Sequence, residues 1–289
     1  MDELSVQSMA RKFVSDLDLS CIHEDLAVYV SKVKAKVTYE ELDDGESGYT
    51  IPMRGGASSI CINSRESMAR QRFTICHEIA HLVLNLASNH EEIPSWSYAK
   101  QHENEMWCDM FAAELLMPYE QFRADVRDSE PSFQLIDTLK TKYQTSFPAT
   151  GSRIAAVLDY PCAFITMDRG MIRYASRSTA LRGLNAWVTP RTPIPSNSVA
   201  HRLWSTGESS GESSDISQDI WFSDWVQGYD LNEMARHYPD FQQTFSLIWF
   251  DTDDGPAEPV KSFTHKSEAT EGLAELTGEL PWPGKRRRK

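Results

Sequence analysis

The run Arg72-Phe73-Thr74-Ile75-Cys76-His77-Glu78-Ile79-Ala80-His81 contains the pattern His-Glu-x-x-His. On a helix, residues i and i+4 share a face one turn apart. The imidazoles of His77 and His81 can therefore grip one metal ion together. Glu78 sits one position round from His77, beside the metal rather than on it, where it can take a proton from a water activated there. Chance produces such a pattern roughly 0.02 times in a chain of this composition. The plain alternative is two histidines on a mostly buried helix, which Ile75, Ile79, Leu82 and Leu84 would suit equally well.

Catalytic zinc takes three protein ligands and keeps one position open. Glu105 follows His81 by 24 residues, and Asp109 stands at i+4 from Glu105 on the same helix face. That spacing offers one carboxylate to bind Zn²⁺ and one to hydrogen-bond a ligating histidine. By themselves these would read as two solvated acids on an amphipathic helix. Cys108, at i+3 from Glu105, is either a latent zinc ligand filling the open position or a small apolar core residue. A tetrahedral intermediate needs a further donor, and Tyr98, His102 and His90 are the candidates in the polar stretch that follows the motif. The strand expected at 59–62 is either a place where an extended substrate adds as a strand or an interior strand of the sheet.

Several runs together carry a resemblance: Ile62-Asn63, Arg70-Gln71-Arg72-Phe73-Thr74, His77-Glu78-x-x-His81, and Glu105-x-x-Cys108-Asp109-x-Phe111-Ala112-Ala113-Glu114-Leu115-Leu116-Met117-Pro118. They resemble the ImmA/IrrE zinc metallopeptidases over roughly residues 1–158. The resemblance implies an α+β, gluzincin-like domain of helices and a small antiparallel sheet, with a helix-turn-helix-like segment at about 133–158. It also implies proteolysis of a helix-turn-helix repressor, which releases transcription in a mobile-element, stress-response or phage-defence setting. Cys108 departs from the alanine usual there. Some relatives carry a GAF-like sensor beyond this point, and residues 161–289 are expected to form one.

The elements that must hold these residues can be read from periodicity. Helices are expected at 5–16, 23–32, 103–117, 133–143 and 150–158, and short strands at 36–42, 48–51 and 59–62. Asn63 and Glu66 read as a capping box that opens the motif helix, which is expected to end near residue 87. After residue 160 the texture changes. A hairpin is expected over 162–174, strands at 220–226 and 245–250, helices at 197–204 and 231–237, and a mobile loop at 207–218. This places two domains at 1–160 and 161–289.

Composition sets the outer limits. The chain has 289 residues, 40% of them apolar and 25% charged, which is ordinary globular usage. No apolar run reaches the roughly 18 residues of a membrane span, and the first residues lack a secretory pattern, so a cytoplasmic protein is expected. The five cysteines are scattered, with no Cys-x-x-Cys pair. A net charge of −13 argues against a DNA-coating protein. Between residues 151 and 202, however, seven arginines face two acids, and residues 285–289 are all basic. Arg169, Arg173, Arg177 and Arg182, interleaved with Tyr174, are candidates for a single-stranded DNA surface that would activate the enzyme. A solvated charged face is the alternative. Two other classes of function compete with the protease: a non-proteolytic signal-binding regulator and a nucleic-acid-binding protein with a zinc site.

Overall fold

The computed structural model describes residues 1–17, 25–43, 45–87, 103–209, 211–222 and 230–250. The chain clusters into two compact units, Met1–Phe122 with Thr138–Ala149, and Arg123–Asp137 with Thr150 onward. Helices and small sheets make both units mixed α and β. Among the described residues, no helix is long and apolar enough to cross a membrane.

The first unit runs α1 (Glu3–Ser15), α2 (Ala27–Lys32), β1 (Ala35–Glu40), β2 (Gly48–Pro52), β3 (Ser58–Asn63), α3 (Met68–Leu84) and α4 (Glu103–Leu116). The antiparallel sheet expected here is in fact mixed. Its order is β1-β3-β2, with β1 parallel and β2 antiparallel to β3. The connection after β1 carries the chain past the β3 position, so that β2 and β3 form a hairpin and β3 lies between its neighbours. The motif helix begins later than expected. Ser67 caps it, its side chain accepting from the Arg70 N–H. Asn63 instead ends β3, where its side chain accepts from the Arg65 N–H and donates to the Glu46 carbonyl. Glu66 accepts from the Ser47 hydroxyl. The core joins Ile60 and Ile62 of β3, Ile75 and Ile79 of α3, and Phe111 and Leu115 of α4, all buried. Phe13 packs edge-on to Phe111 and tilted to Tyr29.

Helices α5 (Tyr119–Val126), α6 (Phe133–Tyr143) and α7 (Phe147–Val157) follow. Next come β4 (Cys162–Asp168), β5 (Met171–Arg177), α8 (Thr179–Gly183), α9 (Val199–Thr206), β6 (Glu212–Ser217), β7 (Asp230–Tyr238) and β8 (Gln243–Trp249). These strands form one antiparallel sheet in the order β5-β4-β8-β7-β6. Ile165, Met167, Ala235 and Ile248 on one face pack with Leu181 of α8 and Leu203 of α9. On the other face, Arg236 pairs with Asp137 at 3.2 Å and stacks on Phe133.

Three expectations fail in this sheet. Residues 231–237 are strand, not helix. Burial alternates along them, with Leu231, Glu233, Ala235 and His237 inward. Two of those four are polar, which hides the period of two. Residues 212–217 are not a loop but edge strand β6, paired along its length with β7. Its serines and acids suit an edge that must not recruit another strand. At the strand expected over 220–226, Ile220 instead closes a short 3-10 turn, Gln218–Ile220, and residues 223–226 lie outside the described residues.

Glu233 is fully buried and accepts from the N–H groups of Val199 (2.9 Å) and Ala200 (3.1 Å) and from the Ser246 hydroxyl (2.7 Å). It thereby pins the start of α9 to the sheet. Burial pushes its pKa up, and the hydrogen bonds offset only part of that rise. As pH rises, the unfolded state therefore loses this proton first. The group's contribution to stability is complete below the ordinary value of 4.5 and is lost as pH climbs through the folded value. Glu233→Gln should flatten the decline of the urea-unfolding free energy between the ordinary value of 4.5 and the folded value, and an unchanged slope across that window would contradict the assignment.

Candidate metal centre

Helices α3 and α4 pack side by side and bring the two halves of the sequence pattern together. His77 and His81 lie one turn apart on α3, and Glu105 enters from the first turn of α4. His77 Nε2 is 2.9 Å from Glu105 Oε2 and 3.0 Å from His81 Nε2, and His81 Nε2 is 3.3 Å from the same carboxylate oxygen. Among the described residues these three form a group whose donor atoms could share one metal ion. An ion with four ligands at about 2.1 Å has ligand–ligand edges of about 3.4 Å. The three donors would need to part by only a few tenths of an ångström, so the residues fit a tetrahedral metal.

Each imidazole is oriented through its other nitrogen. His77 Nδ1 bonds Asp109 Oδ1 at 2.8 Å, as the spacing on α4 predicts. His81 Nδ1 donates to the Leu86 carbonyl at 3.2 Å. That second partner follows from the way α3 ends. Asn85 caps the helix in the left-handed region at φ 52°, a conformation asparagine tolerates. The chain turns there and returns the Leu86 carbonyl to the histidine. With both Nδ1 atoms engaged, both Nε2 atoms face one point.

Burial would lower the pKa of His77, but the hydrogen bonds to Asp109 and Glu105 and the charges of Asp109 and Glu78 outweigh it, and the value rises to about 10. The pocket therefore favours a cation: a proton on His77, or a metal ion that displaces it. Glu78 is buried beside the histidines, and its Oε2 accepts from the Thr50 hydroxyl at 2.6 Å. Thr50 belongs to β2 and carries no motif. Only the packing of β2 on α3 reveals it. Glu114, a buried acid two turns beyond Cys108 on α4, is structural: it accepts from the Tyr119 N–H at 2.9 Å and from Arg11 at 3.3 Å, anchoring the start of α5.

The other candidates fall differently. Cys108 is fully buried and is not among the three clustered donors, and burial together with Glu105, Asp109 and Glu78 pushes its thiol pKa up. A protonated thiol is a poor metal ligand, so the small-core-residue reading fits this placement. Tyr98, His102 and His90 lie outside the described residues, as do 285–289. Strand β3, the expected place for an added substrate strand, is interior to the sheet. The arginine-rich candidates do not make one exposed stacking surface. Tyr174 and Arg177 are buried; Arg177 bonds the Ala186 carbonyl and lies over Trp187. Arg173 pairs with Asp168. Arg182 is half-buried and Arg169 alone of the five is exposed.

Purified protein should carry close to one equivalent of metal per chain, measured by elemental analysis. His81→Ala should abolish it, and Asp109→Asn should weaken metal affinity by about 10–100-fold. Full occupancy in a His77→Ala/His81→Ala double variant would overturn the site.

No curated protein matches this chain in sequence. A solved structure, a Mycobacterium tuberculosis transcriptional regulator, matches with a TM-score of 0.56 at 12% identity, covering 85% of this chain and 76% of that one. That likeness is one of fold. The family model for the IrrE N-terminal-like domain of the M78 peptidases matches residues 24–155, a span holding every residue of the metal cluster. Residues 24–155 are thus an IrrE N-terminal-like domain of the M78 peptidase family.

Proposed function

We propose that the chain is a zinc-dependent endopeptidase that cleaves a helix-turn-helix transcriptional repressor. The observation that carries this reading is the convergence of His77, His81 and Glu105 on one point, with the Glu78 carboxylate held beside it. A zinc ion held by those three residues would supply Lewis acidity, polarising a scissile carbonyl and lowering the pKa of water to about 7. Glu78 is the proton acceptor, and the same carboxylate returns the proton to the departing amine. Asp109 and the Leu86 carbonyl keep the imidazoles aligned. A structural zinc site closes its fourth position with protein, whereas three donors next to a general base suit catalysis. The same argument disfavours a purely non-proteolytic regulator, which has no use for Glu78.

The substrate's path is suggested by β2. The Asn63 N–H donates to the Ser47 carbonyl and the Met53 N–H to the Ala57 carbonyl, so residues 47 and 53 bond toward β3. Antiparallel pairing alternates, so Gly48, Thr50 and Pro52 turn their main chains outward. Proline is tolerated at such an edge position. An extended segment of the repressor adds here, on β2 rather than β3.

The repressor assignment is supported by the IrrE-like domain and by the transcriptional regulator that shares the fold. The second unit reads as a GAF-like sensor that gates cleavage and so switches on a stress or defence operon. In its support, an antiparallel sheet there carries α8 and α9 on one face. Burial of Tyr174 and Arg177 favours a small ligand over single-stranded DNA as the signal. An open groove of about 420 Å³ beside α9, lined by Ser196, Asn197, Val199, His201, Arg202 and Ile216, is a place where such a ligand would be sought.

Glu78→Gln should keep the fold and the metal yet lower the cleavage rate by about 10²–10⁴-fold. The assay uses a candidate helix-turn-helix repressor, with zinc content and thermal melting as controls. Unchanged cleavage would remove Glu78 from the mechanism.

A further inference from the structure

We propose that Thr50 is a positioning residue for the reaction: its hydroxyl fixes the carboxylate of Glu78 in the orientation the site uses. This rests on the peptidase reading above and adds to it a residue from outside the two motif helices.

The geometry comes from how β2 lies on α3. Gly48 and Thr50 are two apart on the strand and so share a face. A Cβ at Gly48 would stand 2.5 Å from the Cys61 carbonyl oxygen and 2.8 Å from Cγ2 of Thr74, so only glycine lets β2 approach this closely. Thr74 is one helical turn before Glu78. Two strand residues advance about 6.6–6.8 Å and four helical residues about 6.0 Å, so the two elements run in step. Gly48 against Thr74 places Thr50 against Glu78. The resulting bond of 2.6 Å lies in the range of a hydroxyl donating to an ionised carboxylate, about 2.5–2.7 Å.

The consequence is chemical. A glutamate has three side-chain torsions, and one that must accept a proton loses effectiveness if its carboxylate wanders by about an ångström. His77 and Glu105 take their orientation from the cluster itself, but nothing in the His-Glu-x-x-His pattern orients Glu78. Thr50 does so from the strand. Its main chain, like those of Gly48 and Pro52, faces the outer edge of β2, so it lies beside the proposed path of a substrate backbone.

The test uses the full chain loaded with zinc and acetohydroxamate as the probe, because a hydroxamate binds zinc while giving its proton to a neighbouring carboxylate. Its affinity therefore reads the placement of Glu78 without any cleavage. Thr50→Val keeps the shape and removes the donor, and should weaken binding about tenfold, the scale of one hydrogen bond to a charged group. Zinc content and melting temperature should stay near wild type. Thr50→Ser restores the hydroxyl and should bind within about twofold of wild type, whereas Glu78→Gln should lose at least as much as Thr50→Val. Should Thr50→Val fail to fold, Thr50→Ala makes the same comparison. Wild-type affinity in Thr50→Val alongside a loss in Glu78→Gln would overturn the role of Thr50 and leave that of Glu78 standing. Equal losses in the Val and Ser variants would also overturn it, because they would report packing rather than the hydroxyl. Undiminished binding by Glu78→Gln would instead bring down the proton-acceptor reading itself, and this proposal with it.

Discussion

Three carboxylates, Glu78, Glu105 and Asp109, are crowded around two imidazoles between α3 and α4; Glu78 and His81 are buried and the other three are largely shielded from water. Buried negative charge is costly unless a cation shares the space. That constraint explains more of the first unit than any single contact. It raises the pKa of His77, it requires both Nδ1 atoms to be held so that both Nε2 atoms face inward, and it makes a divalent ion the natural occupant. The apolar layer beneath, from Ile60 and Ile62 through Ile79 to Phe111 and Leu115, keeps the two helices at the separation the cluster needs.

The cluster was legible in the sequence because helical geometry converts spacing into position. His77 and His81 at i and i+4, and Glu105 and Asp109 at i and i+4, each define one face, and the structure brings the two faces together. What spacing does not encode is a contact between elements with unrelated periods. Thr50 reaches Glu78 from a strand, and Leu86 reaches His81 through a left-handed turn at Asn85. Asn85 was the available clue to the second, since asparagine after an apolar helix is a common stop. Nothing marked Thr50 beforehand. The glycine two residues earlier gains its meaning only from the Thr74 methyl that it admits.

The second unit shows where period reading fails. In β7 the inward positions alternate apolar and polar, Leu231 and Ala235 with Glu233 and His237. The apolar pair, four apart, mimics a helix. The polar pair is accommodated because Glu233 accepts from the start of α9 and from Ser246, while His237 bonds Thr244 at 2.9 Å. Buried polar residues satisfied by partners far away in sequence erase the hydrophobic pattern that would announce the strand. The arginine cluster does not translate into one exposed surface for a related reason. Sequence counts charge without showing that Arg177 spends its guanidinium on the Ala186 carbonyl and the face of Trp187.

The central claim is that His77, His81 and Glu105 hold one zinc ion beside Glu78. Anomalous diffraction from crystals of the purified protein, recorded on both sides of the zinc absorption edge, tests it most directly. The account predicts a single zinc peak about 2.0–2.2 Å from both Nε2 atoms and from a Glu105 carboxylate oxygen. No peak there in zinc-supplemented crystals, or a zinc ion bound by other residues while these three remain in mutual contact, would contradict it.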